Sequence, residues 1–183
     1  MFGANGYGCH CRYWHFSGDS RQWLARCATQ SDENEQEFTR TLGAGSAEAL
    51  GLVAELPEAG VVGWLKLSPA TLVGKIYEQR LYKALPCFQT ERAGTFTIAC
   101  LLVDEGFRRK GVARALVRGA IELGPSWGAT ALEAFPRSDA DVPAVALMMG
   151  PTRVFVEAGF EVVHDFFPYP VLRRTLAPAK RAG

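Results

Sequence analysis

Apolar residues follow two different rhythms along this chain. From residue 20 to 42, "SRQWLARCATQSDENEQEFTRTL" is polar with widely spaced Trp23, Leu24, Cys27, Phe38 and Leu42, a pattern that suits two short surface helices. The second should begin near Ser31 or Asp32, where either side chain can cap and the acidic run after it favours a helix N-terminus. "ALGLVAEL" and "VVGWLKL" then flank "PEAG", two β-prone runs around a proline and glycine turn, which reads as a hairpin. In residues 71–88, Ile76, Leu81 and Leu85 suggest one helical face that Pro86 ends.

The second half is more regular. "TFTIACLLV" at residues 95–103 is almost uniformly apolar and rich in β-branched residues, as expected of a central strand covered on both faces. An amphipathic helix follows, with Arg114, Arg118 and Glu122 every fourth residue and an end at Gly124-Pro125. "ATALEAF" is a second buried strand, residues 136–150 a long irregular connection, and "PTRVFVEAGF" a short helix with Pro151 near its start and Gly159 at its end. "FEVVHDF" and "VLRRTL" are closing strands. The layout is α/β around a mixed sheet.

At 183 residues and 48% hydrophobic content, the chain can bury one good core. Residues 1–176 form a single domain in this reading, and the small, basic, proline-bearing residues 177–183 a loose tail. Twenty basic against 19 acidic residues give no global signal for nucleic acid or an acidic membrane surface. No run approaches the ~20 apolar residues that span a bilayer, and the start lacks the pattern of a secretory signal. The expectation is a cytoplasmic protein with no nucleic-acid or membrane partner. Exposed aromatics such as "DFFPYP" would allow a homodimer without requiring one. The five cysteines (Cys9, Cys11, Cys27, Cys87, Cys100) read as free thiols.

The turn "EGFRRKGVAR" joins the central strand to the amphipathic helix. The helix start leaves several backbone N–H groups without intrahelical partners, and its dipole adds partial positive charge. Gly111 lets a ligand come close to the backbone, while Arg108, Arg109 and Lys110 surround it with full charges. With the first turn of Val112, Ala113 and Arg114, this suits a pyrophosphate. The glycine spacing of dinucleotide-binding and P-loop motifs does not occur.

Arg108-x-x-Gly111-x-Ala113, directly after an apolar strand and before a helix, resembles the acetyl-CoA pyrophosphate motif R/Q-x-x-G-x-G/A of the GNAT acetyltransferase superfamily. "FVEAGF" at 155–160 is similar to that superfamily's late Y-x-x-x-G-F signature, and the resemblance covers roughly residues 48–166. It implies a GNAT fold, with a mixed, mostly antiparallel central sheet and helices on both faces. It implies acetyl-CoA as co-substrate, no metal, and direct transfer to a small-molecule or peptide amine in a ternary complex. Leu102 and Val103 would offer backbone groups to the acetyl carbonyl, on a strand that diverges from the next.

One position departs from that pattern. Phe155 stands where the family commonly has a tyrosine acting as general acid, and phenylalanine cannot give a proton. This opens the alternative of an acyl-CoA binding or sensing module without turnover. For the amine's proton the candidate base is Glu133, a carboxylate in an otherwise apolar strand; such a group has either a polar task or an arginine partner. His164 and Asp165 are weaker candidates, and His10 and His15 could line an acceptor pocket. Cys9, His10 and Cys11 are competent zinc ligands, but a C-x-C pair needs two more ligands and the other cysteines are solitary. If the stretch were a strand, Cys9, Cys11 and Tyr13 would share one face.

Overall fold

The structure is a computed structural model that describes residues 8–89, 91–138 and 149–178. Two helices come first, α1 (Ser20–Thr29) and α2 (Ser31–Gly43), followed by the hairpin β1 (Gly51–Leu56) and β2 (Gly60–Pro69). A single helical turn, α3 (Gly74–Tyr77), precedes β3 (Thr95–Val103), α4 (Val112–Leu123) and β4 (Ala131–Ala134). The chain closes with α5 (Thr152–Glu157), β5 (Glu161–His164) and β6 (Val171–Thr175). The strands form one sheet in the order β1-β2-β3-β4-β6-β5, in which only β3 and β4 run parallel.

The period-2 alternation of the strands sends every second side chain under α4. Leu65 and Leu67 of β2, Ile98 of β3, Leu132 of β4 and Leu172 of β6 are fully buried there with Val117 of α4 and Phe155 of α5. Each contributes about 1.5–3 kcal/mol by leaving water. Helix α4 lies close to β2 because Gly63 has no side chain: a methyl there would come within 2.7 Å of Val112 Cγ1.

The opposite face carries Trp64, Lys66, Ser68, Thr97, Glu133 and Phe135. Residues 9–16, α2 and the segment 70–88 cover it. Phe38 of α2 stands edge-on to Trp64 at 5.8 Å, and Arg12 ties the N-terminal stretch to α2 through Glu37 at 3.3 Å and to Glu48 at 2.9 Å. Helices therefore flank a mixed, mostly antiparallel sheet on both faces, as the sequence implied.

Three expectations need correction. Residues 9–14 are a tight turn and a short 3-10 segment, not a strand; His10 and Cys11 have φ of 40° and 54°, and Cys9, His10, Cys11 and Arg12 are all buried without alternation. The helix of residues 71–88 shrinks to one turn, because Tyr77, Tyr82 and Phe88 turn inward to form an aromatic cluster while Leu81 stays 43% exposed. Helix α1 is capped by Asp19, which accepts from Gln22 N at 2.8 Å, whereas α2 begins with no side-chain cap. The central strand and the helices at 112–123 and 152–157 lie where the pattern placed them. Much of the long connection at 136–150, and residues 179–183 of the expected tail, lie outside the described residues.

Candidate active site

Strands β3 and β4 are paired only from Thr95 to Ile98, opposite Ala131 to Ala134. There β4 ends, while β3 runs on to Val103 beside β2 alone. The β2–β3 register slips by one between Lys66 and Leu67, so Ala99 is an extra, bulged residue opposite no partner. Bulges bend a strand and end pairing locally, and here the two parallel strands part into a fork. Leu102 and Val103 lie on its longer arm, paired with Trp64 and Gly63.

At the tip of that arm Asp104 takes the N–H of Gly106 at 3.0 Å, and the chain turns through Arg109 at φ 59° and Gly111 at φ 87°. Gly111 is the N-cap of α4, with no side-chain cap. A helix start leaves its first N–H groups, here those of Val112, Ala113 and Arg114, without acceptors in the helix itself. A methyl built on Gly111 meets nothing within 4 Å, so the space above this backbone is open. An array of free N–H donors, an open approach and a helix dipole are what a pyrophosphate needs. This turn and the fork are the two ends of one β3 arm.

The sequence profile of the acetyltransferase (GNAT) family matches residues 18–150. The chain belongs to the GNAT family. Its fold is similar to that of PaiA N-acetyltransferase from Thermoplasma acidophilum, solved in complex with coenzyme A, at 9% identity over 93% of this chain and 89% of that one, with a TM-score of 0.54. It is also similar to an acetyltransferase of the GNAT family from Streptococcus pneumoniae, at 14% identity over 81% and 77% of the two chains, with a TM-score of 0.50. No curated protein matches it.

The charged residues of the GNAT turn do not all face the same way. Arg108 folds back so that its Nε reaches Val103 O at 3.3 Å. Arg109 is exposed, and Lys110 Nζ sits 5.2 Å from the Phe107 ring. Arg114 is drawn to α5, where its Nε meets Glu157 Oε2 at 2.7 Å. Phe155 is fully buried, edge-on to Phe160 at 5.4 Å, with its ring edge beside Gly150.

Glu133 lies at the closed end of the GNAT fork and is fully buried. Its Oε1 accepts from Arg173 Nε at 2.9 Å and Nη2 at 2.5 Å, and its Oε2 accepts from the Tyr77 phenol at 2.5 Å. Since that phenol gives its one hydrogen to a carboxylate, the 2.6 Å contact between Tyr77 and Thr97 must have the threonine as donor. Burial and the neighbouring Glu133 charge hold the Tyr77 hydroxyl well above its ordinary pKa. Ser68, Thr97, Glu133 and Arg173 stand in register across four strands, a polar row on a buried face. At one end of it Ser68 Oγ is buried with no partner among the described residues.

Tyr77, Arg173 and Lys66 were not among the candidates. Two of them had a signal: a charged residue inside an apolar strand run, "GWLKL" and "VLRRTL", is the same anomaly that singled out Glu133. Lys66 is fully buried, donates to Glu48 O, and is pushed below its usual pKa chiefly by burial. It sits near Cys11, whose thiol accepts from Trp64 Nε1 at 3.1 Å and is held below its usual pKa mainly by a hydrogen bond from Cys100. The His15 side chain is 5% exposed and its pKa is lowered to about 4 by burial and the Lys66 charge; its Nε2 has no partner among the described residues. His164 stacks on Phe166 at 6.3 Å on the far edge strand, away from the fork. All five cysteines are free. Among the described residues no group of three or more His, Cys, Asp or Glu side chains is placed to hold a metal ion, and no helix is long and apolar enough to cross a membrane.

Proposed function

We propose that this GNAT protein is an N-acetyltransferase that uses acetyl-CoA and passes the acetyl group directly to an amine bound beside it. The observation that carries the reading is the open run of N–H donors at Gly111–Arg114, at one end of the same strand whose other end opens into the fork. Acetyl-CoA supplies an activated acyl thioester. The N–H groups of Val112, Ala113 and Arg114 hold its pyrophosphate, with Arg109 and Lys110 adding charge. The Val103 N–H, which the alternation of the strand turns away from β2, steadies the acyl carbonyl as negative charge develops on its oxygen, with Leu102 beside it. Cys11, the thiol near Lys66, is buried against Trp64, which does not favour an acyl-enzyme.

Glu133 takes the amine's proton in this reading. Its own oxygens are filled by Arg173 and Tyr77, so the proton arrives through the Tyr77 phenol, which passes its hydrogen to Oε2 as it accepts another. The departing thiolate receives a proton from water, because Phe155 has none to give. Phe155 also favours a second reading, an acyl-CoA binding module without turnover.

Thermal unfolding with and without CoA tests the cofactor claim. A ligand at a hundred times its Kd stabilises the folded state by about 2.7 kcal/mol, so the melting temperature should rise at millimolar CoA. An unchanged melting temperature removes the claim. Release of free thiol from acetyl-CoA on addition of amines separates the transferase from the binding module.

A further inference from the structure

We propose that Trp14 is the residue that selects the acceptor, and that it selects a primary monoamine whose carrier is aromatic or aliphatic over a polycationic amine. The inference rests on the transferase reading above. Trp14 precedes the segment that matches the family profile, which begins at residue 18, yet its indole Nε1 donates at 2.7 Å to the carbonyl of Ala99. Ala99 is the bulged residue where the fork opens, and its carbonyl is taken by an indole from the N-terminal segment instead of by a neighbouring strand.

Around that point the lining is apolar. Ala99 belongs to a cluster with Tyr77, Tyr82, Phe88 and Phe135, and half-buried Trp14, Met149 and Tyr169 pack against it. Phe135 is the first residue past the end of β4, so Trp14 and Phe135 stand at the two arms of the fork. α4 covers the other face of the sheet; on this face the rings of Tyr77, Phe88 and Phe135 are buried while Trp14, Met149 and Tyr169 keep part of their surface exposed, so an amine at the mouth of the fork meets these three. The N-terminal segment is fixed there and does not drape loosely. Arg12 pins it on one side of Trp14, and Lys75 on the other donates to Phe16 O at 3.1 Å while lying 4.3 Å from the Tyr13 ring.

Three cations border the cluster. Arg92 lies 4.0 Å above the Tyr77 ring, Arg137 5.6 Å from Tyr169, and Lys75 against Tyr13, which itself stands edge-on to Trp14 at 4.7 Å. Of the nearby carboxylates, Glu133 is buried and committed to Arg173, and Glu48 to Arg12. A second or third ammonium on the acceptor therefore meets repulsion, whereas an apolar carrier gains contact with the indole. The same cations favour the uncharged amine, which is the nucleophilic form.

The test follows thiol release from acetyl-CoA with 2-phenylethylamine and with spermidine as acceptors, using wild type, Trp14→Phe and Trp14→Ala. Wild type should favour 2-phenylethylamine at least tenfold in kcat/KM. Trp14→Ala should raise the KM for 2-phenylethylamine at least tenfold and shrink that preference, and Trp14→Phe, which keeps a ring, should change KM less than threefold. The CoA-induced rise in melting temperature should be the same in all three. An unchanged acceptor ratio in Trp14→Ala, a wild-type preference for spermidine, or no turnover of 2-phenylethylamine overturns the proposal. Loss of the CoA effect in wild type, or no thiol release with either amine, sinks the transferase reading instead.

Discussion

Arg173 and Glu133 face each other from adjacent antiparallel strands, and the guanidinium meets Oε1 through two nitrogens at 2.9 Å and 2.5 Å while also donating to Cys87 O at 2.8 Å. The pair joins β4, β6 and the segment before β3 at the foot of the fork.

Replacing Glu133 by glutamine keeps the shape but removes the charge that Arg173 faces. Stability should fall by about 1–3 kcal/mol, the cost of leaving a buried group imperfectly paired. CoA affinity should stay within about twofold, and turnover should drop roughly a hundredfold or more as a general base is lost. The proton's route runs through the phenol, so Tyr77→Phe must slow turnover as well. Steady-state kinetics with urea unfolding of both variants checks this; normal turnover in Glu133→Gln rules Glu133 out as the base, and normal turnover in Tyr77→Phe rules out the route through the phenol.

Gly111 separates conformation from ligand contact. Gly111→Ala meets open space and pays only for its left-handed backbone, about 1–2 kcal/mol, so CoA should still bind. Gly111→Glu pays a similar conformational cost and puts a like charge on the pyrophosphate, so CoA binding should weaken at least tenfold in a folded protein. Calorimetric titration of both variants measures the difference, and equal affinities would show that the turn is only a loop.

His15 makes stability depend on pH. Its folded pKa is about 4 against 6.5 for an ordinary histidine, so between these values the unfolded chain binds more protons and stability falls as pH falls. The loss from this group between pH 7.5 and 5 is about 2 kcal/mol. A His15→Gln variant should lose correspondingly less over the same interval. Urea midpoints at the two pH values give the comparison, and parallel losses in the two proteins would disprove the assignment.

Phe155→Tyr asks whether thiolate protonation limits the rate. Buried as the ring is, the added oxygen should cost about 1–3 kcal/mol of stability, and thiol release should quicken several-fold with the CoA effect intact. An unaltered rate would mean that water already protonates the thiolate fast enough.

The frame of the site could be read from local pattern. An unbroken apolar run marked β3, a four-residue charge repeat marked α4, and the glycine between them marked the turn, because each is encoded by neighbours in sequence. The polar row and the wall of the fork could not be read this way. Trp14 meets Ala99 across 85 residues, Arg173 meets Glu133 across 40, and Tyr77 meets Glu133 across 56. Glu133 announced itself as a carboxylate in an apolar strand, but which arginine answers it depends on strand order. The cysteine stretch misled for a local reason: its side chains alternate in chemistry as a strand's do, while His10 and Cys11 adopt left-handed backbone that residue type alone does not announce.

The bulge at Ala99 has a consequence of parity. Side chains on a strand change face at every residue, so one extra residue reverses the assignment of everything after it. Ile98 and Leu101 both lie under α4, three positions apart where an unbroken strand would allow only an even number, and Ala99 and Cys100 fall together on the other side. Straighten the bulge with Ala99 kept in the ladder and Cys100 is carried under the helix, Leu101 in among the aromatic rings, and the backbone of Leu102 and Val103 is exchanged edge for edge. The fork, the lining of its mouth and the groups offered to a thioester are thus set together by the count of one residue.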